Sequence, residues 1–409
     1  MKRMLAVLLI VLGISPVLMA EVTAADIKAA GAVNILLWTK EGESDQALQW
    51  VKAQADAFSA MYPNVTFQVI NKDVEKLRQD FQTASLAGAA PDLLWTVSDH
   101  AGPFTTADII QPVDPLFNLG VFVEPAVQAV RMNGKTWGVP ISNGNQLMLI
   151  YNKKLVPRPP ETTDDLLALA PKMPAGVYAL VYNQTEPFWM VPWLGGFKGT
   201  VFAKDGVTPT LNTPAMIATL KFLKSLKDGK VVPAESDYNG ADSLFKEGKA
   251  AMIINGDWSL GTYKDALKEN FGVARIPRVS ATGQWPAPYT SGAFFMLPKG
   301  LSGGKLTAAR GFIQYVTSLP VQVDQVKKLA RLPALKTALS DKSITGDPIL
   351  KGSADQMVVG TPMPTVMEMR ANWDAMKPEM IAVLSGTKTA EAAAVDMQKA
   401  AENGIKALQ

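Results

Sequence analysis

The sequence predicts an α/β protein of two lobes, and three observations carry that expectation. Strand and helix signals alternate in the order β-α-β-α-β between residues 33 and 97, the grammar of a parallel sheet with helices on both faces. The same grammar returns after residue 213. A length of roughly 385 residues, once an N-terminal leader is set aside, exceeds what a single core usually organises.

The leader is the first element. Met1-Lys2-Arg3 gives a positive start, an apolar run from Met4 to Ile14 follows, and small residues come next. The run is short and closed by Pro16, so it reads as a cleaved secretory signal over residues 1–24, not a membrane span. Cleavage is expected after Ala20 or after Ala24. No later stretch offers about 18 uninterrupted apolar residues, so a water-soluble mature chain is expected.

Val33 to Trp38 is a short apolar run, as a strand covered on both faces requires. Ser44 is placed to cap the next helix, in which Leu48, Val51, Ala55, Phe58 and Tyr62 recur at three- and four-residue spacing up to Pro63. Val65, Phe67 and Val69 alternate with polar residues as a second strand. Val74, Leu77, Phe81 and Ala84 mark a second helix stopped at Gly88, and Asp92 to Val97 a third strand. In such sheets ligands bind beyond the carboxyl ends of the strands, which makes the loops starting at Thr39 and Ser98 candidates.

Farther on, Val177 to Val181 is strand-like and runs into Tyr182-Asn183-Gln184-Thr185-Glu186-Pro187-Phe188-Trp189. A carboxylate and two adjacent rings in a loop suit a ligand with apolar faces and a hydroxyl rim, such as a pyranose. They serve a core cluster equally well. Thr213-Pro214 opens a helix carrying Ile217, Leu220, Leu223 and Leu226 to Gly229, another helix ends near Gly248, and Ala250 to Ile254 is a buried-strand run leading into Asn255-Gly256-Asp257-Trp258. The Ala-rich tail from Thr389 to Leu408 is a helix by propensity.

Composition narrows the chemistry. With no Cys and one His, a four-coordinate nitrogen and sulfur zinc site cannot be built; oxygen ligands leave calcium open, but its twelve-residue acidic loop pattern is missing, as is a phosphate-cradling motif. No metal or cofactor is expected. Removing Lys2 and Arg3 from the 40 basic residues leaves 38 against 37 acidic, or 36 if Glu21 also leaves. So near-neutral a chain gives no support for nucleic-acid binding. Gly300-Leu301-Ser302-Gly303-Gly304 matches a nucleophile-elbow pattern but follows Pro298-Lys299 in a polar loop, not the required strand-turn-helix. Paired carboxylates are the stronger enzymatic possibility: Glu186 and Asp99 both lie in candidate loops, and a glycosidase needs two. A secreted glycoside hydrolase is therefore the alternative to a binding protein.

Several segments in one order resemble the maltose-binding proteins, within the extracellular solute-binding proteins of ABC importers. They are Pro91-Asp92-Leu93-Leu94-Trp95, Ala129 to Lys135, Gly138-Val139-Pro140-Ile141, Leu149-Ile150-Tyr151-Asn152-Lys153, Asn183 to Phe188, Ala251 to Trp258, and Gly360 to Trp373. The resemblance implies the type II periplasmic binding protein fold. Each lobe would be a mainly parallel sheet flanked by helices, and three crossings would join the lobes near Asn143 to Met148, Ala287 to Gly292, and Ser340 to Pro348. The lobes would then be 25–143 with 292–340, and 148–287 with 348–409.

By position the resemblance implies Trp258, Trp373 and Phe188 as stacking rings, with Trp189 beside them and Glu186 and Asp99 as polar contacts. His100 stands where an arginine is usual, Asn145 where a glutamate is found, and Lys377 where an arginine is found. Lys40 and Glu43 are the candidates in the divergent first loop, and Ser291 at the second crossing. The remaining tryptophans, Trp38, Trp50, Trp95, Trp137 and Trp285, read as scaffold. The function implied is capture of maltose, maltodextrin, trehalose or a related α-glucoside, without catalysis, for delivery to a membrane permease. A freely diffusing periplasmic protein is expected, since no cysteine is present to carry lipid, and a monomer is expected. A phosphorylated-polyol binder is a weaker reading, since only Lys40 and Lys377 would supply positive charge.

Overall fold

The computed structural model describes residues 21–42 and 46–408, so Glu43 and Ser44 lie outside the described residues, as do residues 1–20. Helix α1 (Ala24–Ala29) is fixed by a capping box, in which Thr23 and Asp26 satisfy each other's backbone N–H. The first layer then follows as β1 (Val33–Thr39), α2 (Gln46–Met61), β2 (Val65–Asn71), α3 (Val74–Leu86), β3 (Leu93–Val97), α4 (Ala101–Thr106) and β4 (Ile110–Gln111). After α5 (Glu124–Gln128) come the short strands β5 (Arg131–Met132), β6 (Lys135–Thr136) and β7 (Val139–Pro140).

A second layer begins with β8 (Leu147–Asn152), α6 (Thr163–Leu169), β9 (Tyr178–Val181), α7 (Val191–Gly196), α8 (Pro214–Asp228) and α9 (Tyr238–Lys246). It continues through β10 (Ala250–Gly256), α10 (Leu260–Leu267) and β11 (Phe271–Ala274). The chain then returns with β12 (Tyr289–Thr290), β13 (Ala293–Pro298), α11 (Gly303–Val316) and α12 (Leu319–Leu329), and ends in α13 (Lys342–Thr345), α14 (Pro348–Val358), β14 (Thr361–Pro362), α15 (Glu368–Ser385) and α16 (Ala390–Lys406).

Two sheets organise these elements. One runs β2-β1-β3-β13-β4, with β7 also on β13; the other runs β11-β8-β10-β9. The sheets are mixed, where mainly parallel ones were expected. The β1–β2, β1–β3 and β9–β10 pairs are parallel. Those of β13 with β3, β4 and β7, and of β8 with β10 and β11, are antiparallel. The cause is the route of the chain. Strand β13 re-enters the first sheet from the second layer, and β8 enters the second sheet directly from the first, so neither arrives through the helical crossover that imposes parallel pairing.

The first core packs Phe58 edge-on to Phe67 and Phe312, which lie tilted against each other, with Trp95 on Phe295 at 5.0 Å. In the second, Leu220 and Leu223 of α8 are buried beneath α15 and α16. At the crossings, Gly144 and Ser291 exchange both backbone hydrogen bonds, at 3.0 and 2.7 Å, and β12 pairs with β14. The Gly300–Gly304 stretch is the entry to α11, with Ser302 at its N-cap position. It is a structural turn.

Candidate functional site

Strand β10 ends at Gly256, and a single turn of 3₁₀ helix, Asp257–Ser259, carries Trp258 beyond it. A Cβ at Gly256 would lie 2.0 Å from the Trp258 ring, so only glycine lets the indole fold back over the strand end. Tyr238 at the start of α9 receives the Trp258 ring N–H at 3.1 Å and fixes its plane. The loop after β9 presents Phe188 from the 3₁₀ turn Pro187–Trp189, and α15 presents Trp373. The Phe188 centroid is 6.3 Å from both Trp258 and Trp373, and Tyr289 stands edge-on to Trp373 at 6.1 Å. Phe188, Trp258 and Trp373 are half-buried, so this is a wall with an accessible face.

Trp189 belongs behind that wall. It is 7% exposed, packs edge-on to Trp258, and donates its ring N–H to the Ile254 carbonyl at 2.8 Å. Expected beside the stacking rings, it is instead their backing, because its indole N–H closes a main-chain acceptor of β10.

The polar candidates divide in the same way. Glu186 and Lys377 form an ion pair with each other at one side of the wall. Lys40 reaches across from the end of β1, with its ammonium 5.9 Å from the Trp258 centroid and 3.3 Å from Glu41. Asp99 lines a void of about 10 Å³ with Glu75, Arg78, Pro103, Val366, Met369, Arg370 and Trp373. Burial, with the Glu75 carboxylate adding to it, pushes the Asp99 carboxyl up to about 7 against the pull of Arg78 and Arg370.

His100 is 1% exposed, with Nδ1 2.7 Å from Thr96 Oγ1 and the ring edge on Phe104. Burial first, and the Arg78, Arg370 and Lys40 cations after it, push the imidazole down to about 3. It is neutral at any physiological pH and cannot replace an arginine's charge. Asn145 adopts φ 55° at the first crossing, and its backbone N–H, not its side chain, meets Asp257 at 3.1 Å. Ser291 is buried at the second crossing, with no hydrogen-bond partner for its hydroxyl among the described residues.

Sequence reasoning missed the ion pair beneath the first loop. Arg331 donates to both carboxylate oxygens of Glu41, at 2.8 and 2.9 Å, and to the Trp258 carbonyl at 3.1 Å, while Trp95 donates to Glu41 at 3.0 Å. Burial raises the Glu41 carboxyl, but Arg331 and then Lys40 outweigh it and hold the group at about 2. A signal existed: Arg331 sits in the apolar run Leu329-Ala330-Arg331-Leu332, and a charge so placed is buried only when paired.

A larger cavity, about 480 Å³, lies elsewhere, between Pro91-Asp92 and Pro298 to Ser302. It sits at the start of β3 and the end of β13, opposite the Asp99 end of the sheet, and its Asp92–Lys305 and Asp108–Lys299 ion pairs are already mutually satisfied. It has no part in the aromatic cleft.

Comparison with known proteins follows the same outline. The family described as bacterial extracellular solute-binding protein matches residues 53–352. A maltotriose-binding protein of Pyrococcus abyssi is 27% identical over 93% of this chain and 83% of its own length. A maltooligosaccharide ABC transporter solute-binding lipoprotein of Streptococcus pneumoniae is 28% identical over 81% of this chain and 80% of its own. The solved maltose/maltodextrin-binding domain MalE from Bdellovibrio bacteriovorus, bound to maltotriose, superposes with a TM-score of 0.87 at 37% identity, covering 91% of this chain and all of that one.

Proposed function

This chain belongs to the bacterial extracellular solute-binding proteins, and from that premise we propose that it is the carbohydrate-binding subunit of an ABC importer, taking maltodextrin or a related α-glucan. As a solute-binding protein it is a transport receptor and not an enzyme, and the glycoside-hydrolase alternative lapses with that membership. The observation that carries the sugar reading is the half-buried wall of Phe188, Trp258 and Trp373, assembled from three distant segments. Such faces pack the C–H surfaces of pyranoses, while hydroxyls at the rim meet carboxylates and amides.

In this reading Glu186, Lys377, Asp99 and Lys40 are the rim, and Trp189 holds the wall from behind. His100 at the end of the first sheet, and Asn145 and Ser291 at the crossings, are further candidate contacts, and Glu43 is a first-loop candidate. The lobes are 25–143 with 292–340, and 148–287 with 348–409. In support, the strands of one sheet fall within 33–140 and 293–298, those of the other within 147–274, and α14 packs on β11. Hinge closure about the crossings presents the loaded form to permease subunits.

The leader is cut after Ala20 in this reading, which adds residues 21–24 to the first lobe. That cut keeps the Thr23 cap of α1 and the bond from Val22 N–H to Gln314, which a cut after Ala24 would remove. With no cysteine to acylate, the mature chain is free in the periplasm, and in this reading it acts as a monomer. The intact mass of the exported protein distinguishes the two cut sites, and gel filtration tests the monomer. Titration calorimetry against maltose, maltotriose, trehalose, a galacto-oligosaccharide and a polyol phosphate tests the ligand. Binding of the phosphate ester alone would overturn the carbohydrate reading.

A further inference from the structure

The two ends of the aromatic wall are built differently. Arg370, Trp373 and Lys377 lie at three- and four-residue spacing on one face of α15, a stripe roughly 10 Å long at 1.5 Å per residue. At one end Lys377 pairs with Glu186, both side chains more than a third exposed and both from elements packed in the second layer. That end is open to solvent.

At the other end the charge network crosses between the layers. Arg370 uses Nε and Nη2 to grip Asp374, one turn along its own helix, at 3.0 and 2.6 Å. This bidentate hold fixes the guanidinium plane, and the remaining nitrogen, Nη1, donates to Glu75 in the first turn of α3 at 2.5 Å. Arg78 donates to the same Glu75 oxygen from Nε and Nη2, both at 3.4 Å. The void beside this network, about 10 Å³, accommodates no more than a single water, far below a sugar ring. The Gly102 backbone of α4 also abuts Thr365, where a Cβ would come within 1.9 Å of the carbonyl oxygen.

We propose that Glu75 and Arg370 form an interlobe gate that shuts the cleft at the Trp373 end and so sets which end of a bound glucan chain is enclosed. The proposal rests on the carbohydrate reading above. A chain lying along Trp258, Phe188 and Trp373 meets the exposed Glu186–Lys377 pair on one side of Trp373 and the Glu75–Arg370 pair on the other, and extension past the second pair requires α3 and α15 to part. The pair is partly exposed, Glu75 at 44% and Arg370 at 32%, so its opening changes affinities by about two- to fivefold, not by orders of magnitude.

The test uses full-length mature protein and calorimetry with three probes: maltotetraose, maltotetraose with a bulky aryl aglycone on its reducing end, and maltotetraose with a bulky cyclic acetal on its non-reducing glucose. Wild type is expected to bind one capped form at least fivefold more weakly than the other. Glu75→Gln and Arg370→Gln are each expected to reduce that ratio by about two- to fivefold, while Lys76→Gln, an exposed charge on the same helix outside the network, leaves it unchanged. Equal binding of both capped forms to wild type, or a ratio unmoved by both variants, overturns the gate.

If uncapped maltotetraose fails to bind wild type, the carbohydrate reading is what falls. The gate is then read from interlobe distance in the free protein. The chain has no cysteine, so spin labels at Leu86→Cys and Val395→Cys report one distance. Glu75→Gln is expected to broaden the distribution towards longer separations, and an unchanged distribution overturns the gate.

Discussion

Glu41 and Arg331, 290 positions apart in the chain, meet as a bidentate pair with side chains 1% and 2% exposed, and the same guanidinium holds the Trp258 carbonyl. One buried cation therefore ties the end of β1 to the loop that carries a stacking tryptophan. Removing Glu41 takes from that buried cation the carboxylate that grips it, and Glu41→Ala is expected to cost about 3–5 kcal/mol of stability, read as a lower urea midpoint. The pair also sets an acid limit. The carboxyl lies at about 2 when folded against 4.5 when unfolded, so its stabilisation is complete above about pH 4.5 and lost as the pH falls towards 2. The linkage amounts to about 3 kcal/mol, and a Tm series from pH 6 to pH 2 should decline over that window.

Trp258→Ala and Trp373→Ala should each weaken glucan binding by about tenfold, since each ring contact is worth roughly 0.5–1.5 kcal/mol beyond its area. Trp189→Phe should behave in the opposite way. It leaves the Ile254 carbonyl of β10 without its donor, and a stability loss of about 1–3 kcal/mol is expected with little change in affinity. Calorimetry and urea unfolding on the three variants separate wall from backing. Equal affinity losses in all three would contradict the division.

Gly102→Ala places a methyl group against the Thr365 carbonyl. The two groups come from different sides of the cleft, α4 and the segment before α15, so the expected result is impaired closure with each lobe still folded. Glucan affinity should fall by fivefold or more while the far-ultraviolet circular dichroism is unchanged. A full loss of structure would place the strain inside a lobe instead.

Asp99 binds its proton far more readily folded than unfolded, the group being pushed to about 7 against an ordinary 3.8. A raised acid contributes stability at low pH and loses it as the pH rises, here between about pH 4 and 7. Asp99→Asn should therefore raise Tm at pH 8 relative to wild type and leave it nearly unchanged at pH 4. His100, lowered to about 3, works in the other sense, contributing above about pH 6.5 and progressively less below, so His100→Gln should remove an acid-side decline.

The first layer was legible because its signals are local. The spacing of Leu48, Val51, Ala55 and Phe58, and the alternation of Val65, Phe67 and Val69, each encode an element within a few residues, and α2 and β2 formed where that pattern put them. Trp258 and Trp373 were legible as motif positions, and the geometry brings both to one wall. What escaped is long-range. Nothing near Glu41 announces Arg331, nothing near Glu75 announces Arg370, and the antiparallel return of β13 depends on where the chain has been. The burial of Trp189 and His100 was hidden for a related reason: a loop aromatic and a loop imidazole look alike whether they face outward or inward. Hydrogen bonds to Ile254 and Thr96 decide it.

The paired backbone bonds between Gly144 and Ser291 have a mechanical meaning. Two separate strands would let the lobes twist, slide and bend independently, whereas strands laced together form a leaf spring, compliant about one axis and stiff about the others. Opening and closing then follow a single arc. In the proposed importer subunit, a ligand of any length would then meet the same pair of surfaces along the same path.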